Sequence, residues 1–219
     1  NLLTIENWFI QKIFQQVIEP AINIFADPNS YGFQKQKSYY NAIEAIENPF
    51  VTTSGNLTII IIDIEKFFDT LNFKWLKKKF IIPTCFKNIL KLWFNIYHTN
   101  SQYHKKYYVP SQNIIFPLIM NFTLNGLEKA AFKNIIKTKT CSILFKLVRY
   151  ADDFVVITNH LKNFNIIKKN VTIFLKTRGL LISKEKSKNI LFSCKQQQQK
   201  LFSLQFNFLG FKFLYNISF

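Results

Sequence analysis

Three carboxylates in this chain have the type and spacing for metal-assisted phosphate chemistry. Asp152 and Asp153 are adjacent within Leu147-Val148-Arg149-Tyr150-Ala151-Asp152-Asp153-Phe154-Val155-Val156-Ile157-Thr158. Two neighbouring acids with apolar arms are costly to bury. A hairpin tip that faces a cleft and holds cations removes most of that cost. Asp63 ends a second apolar stretch, Thr58-Ile59-Ile60-Ile61-Ile62. A strand ending in one acid and a hairpin tipped by two could offer oxygen ligands to two divalent cations, with the backbone carbonyl of Ile64 as one more. Two such ions clamp the attacking and leaving oxygens of phosphoryl transfer. Mg²⁺ suits a set with few carboxylates, because it keeps waters and takes substrate phosphate oxygens.

The elements that must position these acids are legible in the apolar pattern. Residues 147–158 read as strand, tight turn, strand, with β-branched and aromatic flanks. The unbroken run up to Asp63 predicts a central strand covered on both faces. Leu2 to about Phe25 reads as helix from Leu3, Phe9, Ile10, Ile13, Phe14, Val17 and Ile18, with Trp8 and Phe9 assigned to the core and Pro20 kinking or ending its first part. Asp27-Pro28-Asn29-Ser30 breaks the helix, Tyr39–Glu47 is predicted as a second one ended by Asn48-Pro49, and residues 52–56 are a turn. Phe73–Phe80 and Phe86–Tyr97 read as helices separated by Pro83. Tyr103–Val109 interleaves basic and aromatic residues, either to stack bases or as an ordinary amphipathic strand. Phe116–Ile135 reads as one helix with Pro117 in its first turn, and Leu161–Lys176 as another stopped by Gly179. Gln196–Gln199 is a low-complexity loop between two strands, and Phe206–Phe213 alternates as a strand.

With the acids and their elements laid out, the chain resembles a known family. Tyr150-Ala151-Asp152-Asp153 resembles the YADD box of reverse transcriptases. Asp63-Ile64-Glu65-Lys66-Phe67-Phe68-Asp69 resembles their DIKGFFD motif, in the form used by group II intron reverse transcriptase/maturases. Residues 30–38 are similar to SYGFRPGRS, residues 179–188 to GLELSPEKTK and residues 206–213 to FDFLGFRF. Five motifs stand in the family's order across nearly the whole chain. The resemblance implies an α+β fold: a right-hand polymerase palm with partial fingers, its small antiparallel sheet backed by helices. Residues 1–50 would be partial fingers and 51–219 palm. It implies catalytic Asp63, Asp152 and Asp153, with Asp63, Ile64, Asp152 and Asp153 holding two Mg²⁺. Phe68, Gln112 and Lys186 would lie at the nucleotide, and Lys35, Lys37, Tyr150 and Gly210 at nucleic acid.

Several positions carry a second reading. Phe67 and Phe68 are either both core, or Phe68 is the family's aromatic gate against a ribose 2′-hydroxyl. Asp69 reads as a hydrogen-bonding structural acid. Lys186 lies near the triphosphate in the family and reads equally as surface. Gly210 stands where the family lets backbone approach closely. The family's two arginines in the segment after Ser30 correspond to Gln34 and Lys37, and its Gln-Gly pair corresponds to Ser111-Gln112. Gln112 thus adds a side chain where glycine lets backbone approach the nucleotide.

Composition bounds the partners. The 219 residues are 48% hydrophobic, enough for one sizeable core. The formal net charge of +17 favours a polyanion, and nucleic acid is the usual one. Arg149 and Arg178 are the only arginines, so backbone binding is better supported than base readout. The lysines are scattered rather than gathered on an amphipathic helix, and no apolar run reaches a membrane span, so no membrane partner is expected. Cys85, Cys141 and Cys194 have no zinc spacing, and His98, His104 and His160 are isolated. Abundant Lys, Asn, Ile and Phe resemble coding from an A+T-rich genome, which points to an organelle, a plastid ahead of a mitochondrion. The chain starts at Asn1 and stops soon after its last motif, as a piece of a longer protein would.

Two classes of function follow. One is an RNA-directed DNA polymerase that takes an RNA template, a DNA primer and dNTPs. The other is a non-polymerising maturase that binds structured intron RNA and helps it splice, with a decayed, structural RNA-bound homologue as the lower alternative.

Overall fold

The run Leu57–Ile62 (β1) forms the centre of a four-stranded antiparallel sheet. A computed structural model describes residues 5–52, 57–80, 82, 86–88, 114–135, 144–192 and 204–215. Phe145–Tyr150 (β3), Asp153–Thr158 (β4) and Lys188–Phe192 (β6) complete the sheet in the order β3-β4-β1-β6. Strand β1 runs antiparallel to β4 and to β6, and β4 antiparallel to β3. Side chains alternate across the pleat, so β1 serves two cores. Ile60 and Ile62 face one, Leu57 and Ile59 the other, as the unbroken apolar run requires.

Helices cover the first face. Ile5–Ile24 (α1) contributes Phe14, Ile18 and Ile22; Ile115–Leu124 (α5) contributes Ile119 and Leu124; Leu161–Thr177 (α7) contributes Ile167 and Val171. Tyr39–Thr52 (α2) covers the second face with Ala42 and Ile46. It shares that core with a hairpin of Leu204–Phe208 (β7) and Phe211–Tyr215 (β8), through Phe206, Phe208 and Phe213. Each fully buried Ile or Phe in these layers is worth about 1.5–3 kcal/mol of transfer free energy. Short elements finish the chain: Ile64–Glu65 (β2), Phe67–Thr70 (α3), Phe73–Lys79 (α4), Leu127–Ala131 (α6) and Leu181–Ile182 (β5), with β2 paired to β5.

Several boundaries differ from expectation. Helix α1 continues through Pro20, whose ring lies on the exposed side, where water can serve the carbonyl left without an amide donor. Its buried stripe is Gln11, Phe14, Ile18 and Ile22, whereas Trp8 and Phe9 are 48% and 59% exposed and are not core. An apolar helix with two eligible stripes buries the one that meets its neighbours, here α5 and the Phe80 and Phe86 rings. Helix α2 runs past Asn48-Pro49 to Thr52, because Pro49 is buried and Phe50 continues the apolar face to meet Phe206. Ser38 and Asn41 start it by exchanging side-chain and backbone hydrogen bonds in a capping box.

The helix expected over Phe116–Ile135 is two, α5 and α6, because Gly126 takes φ +84° between them. The strand expected over Phe206–Phe213 is a hairpin turned by Leu209 (φ +52°) and Gly210 (φ +79°). Residues 86–88 are helical; the rest of the Phe86–Tyr97 helix, the Tyr103–Val109 strand, Gln112 and Gln196–Gln199 lie outside the described residues.

Candidate active site

Register alone gathers the acids. Ile62 of β1 pairs with Phe154 of β4, so the next step along each antiparallel strand sets Asp63 against Asp153. Asp152 sits in the two-residue turn between β3 and β4, beside the Tyr150–Asp153 pair. The three carboxyls share one end of the sheet and feel each other's charge. Burial, followed by the charges of Asp152 and Asp63, pushes the Asp153 pKa up to about 6. Burial also raises Asp152, with Asp63 adding to the effect. Crowded, half-desolvated carboxylates are the condition a divalent cation relieves. Among the described residues no three His, Cys, Asp or Glu side chains form a ready-made ion cage. The donors gathered here, the Asp63, Asp152 and Asp153 carboxyls, are hard oxygens, the ligand type that Mg²⁺ takes.

The segment after β5 grips Asp63. Its carbonyl accepts from the Ser183 amide at 2.9 Å, and its amide donates to Ser187 Oγ at 3.3 Å. Lys186 Nζ lies 3.0 Å from Asp63 Oδ2. Lys186 is largely exposed, so this ion pair contributes little to stability and leaves the ammonium available to an anionic ligand. A cavity of about 1090 Å³ opens beside Asp63, and Lys66, Lys168, Lys176, Lys184 and Lys186 line it. Five lysines against three acids, Asp63, Glu65 and Glu185, leave a wall with a positive excess suited to a phosphate-bearing ligand. Sequence reasoning missed Ser183 and Ser187; their spacing within a turn-forming stretch was the available signal.

The loop after α1 lies against the β3–β4 turn. A Cβ placed on Gly32 would stand 2.2 Å from the Ala151 amide nitrogen, so only glycine fits there. Tyr31 donates its amide to the Arg149 carbonyl at 2.8 Å, and Arg149 donates its own to the Asn29 carbonyl at 3.0 Å. Arg149 is fully buried, and burial pushes its pKa down to about 10, so it remains charged at neutral pH.

The other predicted residues fall in varied places. Phe67 is core, while Phe68 is partly buried with its ring 4.4 Å from that of Phe116. Burial raises the Asp69 carboxyl above its usual range. Tyr150 is half-buried against both cores. Lys35 is exposed and pairs with Glu19 at 3.6 Å. The Lys37 ammonium holds its own loop, donating to the Pro28 and Ser30 carbonyls at 2.7 and 2.8 Å, although the sequence pointed it to nucleic acid. A Cβ on Gly210 would meet no atom of the chain within 4 Å, and the positive φ of the hairpin turn favours glycine there.

The family described as reverse transcriptase (RNA-dependent DNA polymerase) matches residues 2–213. The chain belongs to that family. Among curated relatives, the "Putative COX1/OXI3 intron 1 protein" of Saccharomyces cerevisiae is 24% identical over 229 residues, covering 81% of this chain and 27% of the relative. This reverse transcriptase domain thus spans about a quarter of that relative's length. Solved structures give the same fold. Telomerase from Candida tropicalis, in complex with a fragment of telomeric RNA, superposes with TM-score 0.58 at 15% identity, covering 94% of this chain and 37% of that one. Apo telomerase from the same organism, truncated from its C-terminal domain, gives TM-score 0.57 at 16% identity over 93% of this chain and 43% of that one. The mixed helix-and-sheet architecture expected from the motifs, a polymerase palm with fingers, is borne out.

Proposed function

We propose that this chain is the reverse transcriptase domain of a group II intron-type reverse transcriptase/maturase. It binds structured intron RNA, aids splicing, and retains at most weak RNA-directed DNA polymerisation. The observation that carries the reading is the cross-strand register that sets Asp63 against Asp153, with Asp152 in the adjoining turn. Asp63, Asp152, Asp153 and the Ile64 carbonyl would hold Mg²⁺. When bound, the ions supply positive charge to the attacking and leaving oxygens of phosphoryl transfer. The lysine-lined cavity beside Asp63 receives the triphosphate, with Lys186 at its mouth. Phe68, braced by Phe116, stands as the gate against a ribose 2′-hydroxyl. Residues 1–50 act as partial fingers and 51–219 as palm. Exposed lysines hold the RNA backbone. The name of the yeast intron protein supports the intron assignment, and the A+T-rich composition supports an organelle, fitting plastid and mitochondrion alike.

A second reading, splicing aid without polymerisation, is favoured by Gln112 where the family has glycine. Primer extension by the full-length protein on an RNA template with Mg²⁺ decides between the two. Detectable extension that Asp152→Ala abolishes, with RNA binding nearly intact, is the outcome expected of a polymerase. If neither the natural protein nor Gln112→Gly extends a primer while splicing still depends on the protein, only the maturase reading survives.

A further inference from the structure

Among the described residues, Arg149 is the largest side chain to be fully buried. Its Nη1 donates to Asn121 Oδ1 at 3.1 Å and to the Ala151 carbonyl at 3.1 Å. Its Nε and Nη2 have no partner among the described residues. A buried cation with two idle donors costs free energy and does little for stability that a well-packed apolar side chain would not do better. What the guanidinium does achieve is geometric. Ala151 is the first residue of the turn, its backbone sits at φ +57°, and the next residue is Asp152. A non-glycine residue in the left-handed region needs its surroundings to hold it there. The Ala151 carbonyl is held by Arg149, and the Ala151 amide is walled in by Gly32. Asn121 closes the set: its Oδ1 accepts from Arg149, and its Nδ2 donates to the Gly32 carbonyl at 3.0 Å.

We propose that Arg149 and Asn121 are positioning residues that lock the Ala151 peptide, so that Asp152 enters the metal-binding set in one orientation. Arg149 reaches Asp152 only through the Ala151 carbonyl. Asn121, on α5, ties that peptide to the loop after α1, so the loop that packs behind the turn helps fix the acid in front of it. The proposal rests on the metal-site reading above, and its test separates the two.

The test is Mn²⁺ binding by the full-length protein, measured as a midpoint by titration of the paramagnetic ion, alongside thermal unfolding. Arg149→Met keeps the side chain's length and loses the hydrogen bonds. Arg149→Lys keeps the buried charge with a single ammonium and serves if the Met variant does not fold. Each should raise the Mn²⁺ midpoint about tenfold, the usual scale for groups that orient a metal ligand. Asn121→Leu should do the same, and Arg149→Met combined with Asn121→Leu should be no worse than either alone. Asn170→Ala is the stability control. It removes hydrogen bonds to the Ala131 and Lys133 carbonyls, lowers the unfolding temperature, and should leave the midpoint in place. Mn²⁺ uptake by the natural protein with unchanged midpoints in the Arg149 and Asn121 variants would overturn the positioning role and spare the metal site. No uptake by the natural protein would overturn both.

Discussion

The acids at the end of the sheet are held in an arrangement that is unfavourable without counter-charge. The Asp153 pKa, raised to about 6, means that the folded chain binds a proton there more tightly than the unfolded chain does. A raised carboxyl costs stability once it ionises, so stability falls as pH climbs from about 4 through about 6. Asp153→Asn removes that cost. In metal-free buffer the variant should be more stable than the natural protein at pH 7, with the gain vanishing at pH 4, where both side chains are neutral. Urea unfolding at the two pH values tests the sign. Gly32 belongs to the same scale. Its Cβ-free backbone is required by contact with Ala151, not by its own φ, so Gly32→Ala must push the loop or the turn aside. Overpacking of this kind costs roughly 1–3 kcal/mol, and a thermal melt indistinguishable from the natural protein would mean that the contact is slack.

Among the elements, the β7–β8 hairpin lets conformation be separated from crowding. Leu209 and Gly210 both have positive φ, and space above Gly210 is open. Gly210→Ala should destabilise by about 1 kcal/mol through backbone strain. Gly210→Asn should cost less, because Asn tolerates the left-handed region, although it is larger. If Asn proved worse than Ala, crowding would be the controlling term. The helices teach a related lesson. Two prolines that should end helices sit inside α1 and α2, and in each case tertiary packing outweighs local propensity. Gly126 divides α5 from α6, and Asp27 caps the second piece: its carboxylate accepts from the Gly126 and Glu128 amides at 3.1 and 3.3 Å.

At the scale of the whole molecule, charge and chemistry separate. The net charge of +17 comes from lysines spread along the chain, whereas Asp63, Asp152 and Asp153 gather at one sheet end. RNA affinity should therefore fall steeply with salt, by roughly a thousandfold between 50 and 200 mM if about six phosphates are neutralised. Asp152→Ala should leave that slope unchanged. Filter binding across the salt range measures both, and a flat response would show that the lysines are merely solvated. Sequence by itself determined the motif order, the central strand, the acid-tipped hairpin and the basic character, because each is carried by local pattern or composition. The family and the mixed fold followed from them. Tertiary structure decided the rest. It chose which of two apolar stripes on α1 is buried, and it put the Asp63 backbone in contact with Ser183 and Ser187. It also spent Lys37 on its own loop and set Gly32, Asn121 and Arg149 behind the turn. Apart from the Lys37 contacts within its own loop, these outcomes depend on contacts between residues far apart in the chain, and the pairing register that creates such contacts is set only when the layers close.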